Sequence, residues 1–314
     1  MDTHYKHCLI TPFLNRFDMV AQLLEKLMQD LPPATVVILI DDGSDEVAKD
    51  SPTLKNWSQD ERVVFLRHET NLGPAAARNS GVAWCRQRGI NTVILLDSDC
   101  IPQPGMVQKH LELQDKHPDM MLIGGGIQGE GKGIWAHVDR TLSWFILIPQ
   151  QPEKEINEPL HLPTTNLSFR LENFTNIPQL FEPRYRTGED IAFVKLVRKM
   201  GGKLFFSPQP IIHHQDRESF KALFSHQFRW ALHTYIVRTG IDNSSIFRQI
   251  SFLLFFLMTF PIYVFYATYL TITPWIKIKP LFVLYIPVIL LAYTIKGFGV
   301  IMGTINPKLA LYEQ

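Results

Sequence analysis

The sequence lacks most of what would assign it to several large protein classes. It has only three cysteines, Cys8, Cys85 and Cys100, with no paired spacing. That excludes a disulfide framework or a cysteine-rich zinc site and favours a reducing compartment. It has no charge excess: 31 basic and 30 acidic side chains leave a net charge of +1. This is too little for a protein that binds nucleic acid by neutralising phosphates, so no nucleic-acid partner is expected. Met1–His7 contains no apolar run, and no secretory leader is expected there. Acidic residues are missing from Asn243 to Tyr312, where Arg248, Lys277, Lys279, Lys296 and Lys308 are the sole charges.

Within that region, Gln249–Ile276 and Pro280–Ile295 carry no charge at all. A bilayer-spanning helix needs roughly 20 apolar residues. One span is expected at about 250–272. A second is expected at about 281–302, interrupted by Pro287 and Lys296. The bland alternative, two buried helices of a soluble core, fits poorly with so long an uncharged run.

The first half alternates short apolar, β-branched runs with helical patterns. Strands are expected at His7–Ile10, Thr35–Ile40, Arg62–Leu66, Thr92–Leu96 and Met120–Ile123, and helices near 18–30, 74–88 and 105–117. Alternation of this kind gives an α/β fold with a doubly wound, mainly parallel sheet between flanking helices. Ligands of such sheets sit at the carboxyl ends of the strands. The glycines of 124–126 and 129–133 suggest flexible backbone. A further helix is expected at 188–200, then a strand at 203–206 and an amphipathic stretch at about 217–238.

Acidic clusters follow two of these strands: Asp41-Asp42-Gly43-Ser44 and Asp97-Ser98-Asp99. In extended backbone Asp97 and Asp99 point the same way. Two hard oxygen ligands so placed suit Mg²⁺ or Mn²⁺. The alternative for a lone D-x-D is a polar turn or a helix cap.

Taken in order, Thr11-Pro12-Phe13-Leu14-Asn15-Arg16, Asp41-Asp42-Gly43-Ser44, the Asn71–Asn79 segment Asn-Leu-Gly-Pro-Ala-Ala-Ala-Arg-Asn, Asp97-Ser98-Asp99 and Gly188-Glu189-Asp190 resemble the family 2 glycosyltransferases. These are inverting enzymes of GT-A fold that use nucleotide-sugar donors, UDP-sugars being the commonest. The resemblance runs from about residue 5 to 235 and implies residue roles. Thr11, Pro12, Asp41 and Asp42 would line the nucleoside pocket, with Arg78 facing the diphosphate. Asp99 and Asp97 would hold Mn²⁺ or Mg²⁺, with His214, or its neighbour His213, completing the metal site. Asp190 would be the general base, with Glu189 as support or second candidate. The plain alternative for both acids is a helix N-terminus that favours negative charge.

Asn166, in Thr164–Arg170, would orient the acceptor. Arg229 and Trp230 match the end of the Gln-x-x-Arg-Trp motif of processive synthases, and would also lie on the acceptor side. His226 stands in the glutamine position, which argues against processive synthesis. The implied organisation is a catalytic domain at 1–240, its residues 217–240 forming an interfacial helix, and a membrane region at 241–314. Arg217, Lys221, Arg229, Arg238 and Arg248 before the first span outnumber the lysines after it. The positive-inside rule then puts the catalytic domain in the cytoplasm of a multi-pass protein of the plasma or inner membrane. The implied substrates are a nucleotide-sugar and a glycan or lipid-linked acceptor. A tethered binding module without catalysis, or a sugar-phosphate nucleotidyltransferase, is the competing reading; the latter is expected to carry a glycine-rich loop, and 11–16 has no glycine.

Overall fold

A computed structural model describes residues 5–312. The apolar runs fold as a 9-stranded sheet in the order β3-β2-β1-β4-β8-β6-β9-β5, with β7 paired to β9. The strands are β1 His7–Phe13, β2 Thr35–Asp41, β3 Val63–Arg67, β4 Thr92–Leu96, β5 Cys100–Pro102, β6 Met120–Glu130, β7 Lys154–Glu155, β8 Asn166–Arg170 and β9 Lys203–Gln215. All residues of β2 and β4 are buried, as expected of central strands covered on both faces. The covering helices are α1 Phe17–Leu27, α2 Pro74–Gln87, α3 Met106–Lys116, α4 Gly133–Trp144 and α5 Glu189–Lys199.

The α/β class holds and most of the pairing is parallel, that of β6 with β9 included. β3, β2, β1 and β4 are parallel neighbours. β8 then runs antiparallel to both β4 and β6, and β9 is antiparallel to β5 and β7. The sheet is mixed because β8 is reached through a long irregular segment rather than a βαβ crossover. The glycines of 124–126 are not flexible linkers. They lie inside β6, where a Cβ on Gly124 would stand 2.6 Å from Leu162, and one on Gly125 would collide with Asn166 and Pro210. Glycine there lets neighbouring strands approach.

α6, Phe220–Thr239, begins at a Ser219 cap that accepts from Ala222 N–H at 3.2 Å and ends at Gly240 in left-handed backbone. The expected boundary at residue 240 falls on that cap. Two apolar helices follow: α7 Ile246–Ile278 and, after a 3₁₀ segment Pro280–Tyr285, α8 Ile286–Ile305. Both stretches, Ile246–Ile278 and Pro280–Ile305, are long and apolar enough to cross a membrane. α7 leaves Phe247 77%, Met258 81% and Ile262 68% exposed, which a soluble core helix would bury. Neither expected interruption breaks α8. Pro287 occupies its first turn, where a missing N–H is harmless, and Lys296 lies buried within it.

α6 packs on α8 along one side. Ala231, Leu232, Ile236 and Val237 are buried, and α8 crosses α6 at glycines. A Cβ on Gly299 would stand 2.5 Å from Phe228 O, and one on Gly303 2.8 Å from Leu232 O. Such small-residue stripes let helices pack backbone to backbone. Beyond α8 the chain turns back onto the α/β domain. Leu311 bridges Tyr185, Tyr312 N–H donates to Arg184 O at 2.9 Å, and the Tyr312 ring lies against Gly73 at the start of α2.

Candidate active site

Asp97 and Asp99 follow β4 at the carboxyl edge of the sheet, but their side chains diverge. Asp97 takes a 2.6 Å hydrogen bond from Arg78 and a 2.8 Å one from Thr165 Oγ1. Asp99 takes one of 2.6 Å from Arg16 and lies 3.9 Å from His214 Nε2. Burial acts to raise the Asp99 carboxyl. The charges of His214 and Arg16 outweigh it and hold Asp99 below the usual carboxylate range.

Strand alternation separates the two histidines. His214 is buried and turned to the cavity, with its ring edge-on to Trp144 at 5.0 Å. His213 faces away and pairs with Glu130 and Gln103. Among the described residues no cluster of three or more His, Cys, Asp or Glu forms a complete metal cage. A hard divalent cation whose shell is completed by substrate phosphates needs fewer protein ligands. The carboxylate of Asp99 beside the imidazole of His214 suits it, and the buried Nδ1 of His214 is left without a partner.

Asp190 stands at the head of α5, after Gly188, whose left-handed φ of 97° sets the entry. One carboxyl oxygen accepts from Ile191 N–H at 2.7 Å, and the other lies 3.5 Å from His161 Nε2. Arg238 donates to His161 Nδ1 at 3.1 Å. A guanidinium cannot accept, so Nδ1 is the bare nitrogen and Nε2 carries the proton toward Asp190. Burial tends to raise Asp190, but the hydrogen bond from His161, the Ile191 N–H and the charge of Arg238 hold it low and ionised.

Several expected donor contacts are turned inward. Arg78 is turned inward: it is 3% exposed and joins Asp97 to Glu189, at 2.6 and 2.7 Å. A buried guanidinium needs such partners, and they occupy both terminal nitrogens. Glu189 is held by Arg78, its carboxyl raised by burial against the pull of that guanidinium. Asp41 receives Ser44 N–H at 2.9 Å and the Arg67 guanidinium. Asp42 receives His68 at 2.6 Å and Gly73 N–H at 2.8 Å. These two carboxylates build the loops of the pocket instead of standing free in it. Thr11 is fully buried; Pro12 is half-buried.

A cavity of about 530 Å³ lies against Asp97, Asp99, Asp190, His161, His214 and Trp230. Of the expected acceptor residues only Trp230 lines it. Asn166 is buried in the sheet, its oxygen accepting from His110 at 2.8 Å and its nitrogen donating to Gly126 O and Pro210 O. That use of every polar atom leaves nothing for an acceptor. Arg229 is exposed on the other side of α6 and donates to Ser225 O. His161, Thr165 and Arg16 carry weight that their sequence positions did not show. His161 lies in an unpatterned loop, and only the fold brings it to Asp190.

The mixed sheet with its flanking helices is an α/β domain of GT-A type. The sequence model of Glycosyl transferase family 2 matches residues 8–181, and the chain belongs to that family. It is 25% identical over 185 residues to succinoglycan biosynthesis protein ExoO of Rhizobium meliloti, covering 59% of this chain and 49% of that protein. It is 31% identical over 107 residues to amylovoran biosynthesis glycosyltransferase AmsE of Erwinia amylovora, covering 34% and 38%. The chain thus spans half or less of the length of these relatives. The mannosyltransferase PcManGT of Pyrobaculum calidifontis, solved with GDP-Man and Mn²⁺, superposes with a TM-score of 0.61 at 12% identity, covering 96% of this chain and 87% of that one. GalNAc-T7, solved with UDP, GalNAc and Mn²⁺, gives 0.51 at 18% identity, covering 68% and 44%. At these identities the likeness is one of fold.

Proposed function

We propose that the protein transfers a sugar, with inversion, from a nucleotide-sugar to a hydroxyl of a glycan or lipid-linked acceptor. The product belongs to a cell-surface polysaccharide or glycolipid, and the catalytic domain faces the cytoplasm from the plasma or inner membrane. The observation that carries this is Asp190, an ionised carboxylate steadied by His161, in the same cavity as Asp99 and His214. Inversion is one in-line displacement at the anomeric carbon, and Asp190 accepts the proton of the attacking hydroxyl. Asp99 and His214 would hold Mn²⁺ or Mg²⁺, which neutralises the leaving diphosphate. Arg16, paired to Asp99, adds a second positive charge on that side. Trp230 offers a face for the acceptor sugar. The succinoglycan and amylovoran proteins among the relatives support the polysaccharide setting.

Calorimetry on detergent-purified full chain tests the donor half. UDP or GDP is expected to bind only with Mn²⁺, and Asp99→Ala is expected to abolish it. Absence of nucleotide binding by the folded protein would sink the donor site and move weight to a tethered module. Asp190→Asn is expected to keep nucleotide binding and lose transfer by about 10²–10⁴-fold.

A further inference from the structure

The cavity does not end at the carboxylates. It continues between α6, α7 and α8, where Lys296 enters it from within an apolar helix. Lys296 is 6% exposed. Its ammonium has aromatic faces beside it, Trp230 at 4.9 Å and Tyr293 at 4.8 Å from the ring centroids. Among the described residues no carboxylate or carbonyl stands within hydrogen-bond or ion-pair distance of it. Asp139, the acid whose charge reaches it, is already engaged by Arg217 at 3.1 Å.

A buried ammonium on an apolar helix is unfavourable until an anion joins it. Arg217 repeats the sign on the cavity lining, whereas His226 beside it carries no charge at neutral pH: burial first, and then the charges of Arg217, Lys296 and Arg229, push it down to about 3. The lining thus holds the cations Lys296 and Arg217 as well as the site carboxylates. Past Lys296 the lining turns to Val300, Ala231 and Tyr263, which suits hydrocarbon better than sugar.

We propose that Lys296, with Arg217, receives the phosphate of a membrane-held acceptor whose hydrocarbon chain follows α7 and α8, so that its hydroxyl end meets Asp190. This rests on reading the cavity as the acceptor side of glycosyl transfer. The cationic aromatic corner selects a lipid phosphate over a neutral lipid. Trp230, 4.9 Å from Lys296, makes binding visible by tryptophan fluorescence.

The test uses the full chain in detergent, titrated with farnesyl phosphate, farnesol and sodium phosphate. Farnesyl phosphate is expected to bind about tenfold or more tightly than farnesol. Lys296→Met is expected to erase that preference and Lys296→Arg to keep part of it. Should Lys296→Met not fold, Arg217→Gln supplies the comparison and is expected to narrow the preference. Equal affinity for farnesyl phosphate in wild type and in folded Lys296→Met overturns the proposal. So does sodium phosphate that binds as tightly as farnesyl phosphate, which would assign the site to free phosphate. Manganese-dependent nucleotide binding is measured on the same samples. A chain that binds farnesyl phosphate through Lys296 but no nucleotide keeps this site and loses the transferase reading.

Discussion

Arg78 stands between Asp97 and Glu189, 2.6 Å from one carboxylate and 2.7 Å from the other. Three parts of the chain, the helix α2, the turn after β4 and the head of α5, are thereby tied at one guanidinium. Arg78→Met leaves two acids beside a hole and is expected to destabilise the fold by about 3–5 kcal/mol. Urea denaturation followed by circular dichroism measures this. An unchanged midpoint would show that the acids find water or each other.

His161 steadies Asp190 in its charged form, and burial alone would raise that carboxyl. His161→Ala is therefore expected to move the acid limb of the kcat/KM profile to higher pH, because activity needs Asp190 ionised. A profile with its acid limb unmoved would remove His161 from the proton-accepting apparatus.

A buried histidine, His110, and a half-buried one, His226, make the fold acid-sensitive. Burial holds His110 down to about 4, and burial with nearby cations holds His226 down to about 3. In the unfolded chain both return to about 6.5. The unfolded state then binds more protons below that value, so stability is full above it and is lost as pH falls toward the folded values. His226→Gln, which also restores the residue of the processive motif, is expected to lessen the drop in urea midpoint between about pH 7 and 5. An identical drop would place the sensitivity elsewhere.

Gly303 lets α8 lie on α6, with Leu232 O only 2.8 Å from where a Cβ would be. Gly303→Leu forces the helices apart and is expected to lower Tm by several degrees. A chain ended at residue 240 exposes Ala231, Leu232 and Ile236 and is expected to aggregate. Size-exclusion chromatography checks the second outcome. A monomeric, nucleotide-binding fragment would show that α6 does not need α8.

Much of this architecture was legible along the chain. The uncharged runs marked α7 and α8, and the β-branched runs marked the strand that puts Asp97 and Asp99 at the sheet edge. Alternation along β9 turns His214 inward and His213 away, a choice left open by an expected strand that ended at residue 206. What the chain concealed were the pairings. Nothing near Arg78 announces Glu189, which lies far away in sequence, and Asn166 reads as a free amide until β6 and β9 close on it. Asp41 and Asp42 stand where the motif puts them, yet their oxygens are already claimed by backbone. Lys296 read as a flaw in a span; only the crossing of α6 shows what it looks into.

The return of residues 307–312 to the α/β domain makes a mechanical linkage of what would otherwise be a tail. It hangs from α8 at one end and at the other holds Tyr185, in the segment that leads to Asp190, while Tyr312 rests on Gly73. A sideways shift of α8 pulls on both contacts at once. On the proposed reading, with α7 and α8 in a bilayer, its thickness and tension gain a lever arm on the site around Asp190, and reaction rate in vesicles of different chain length becomes a gauge of it.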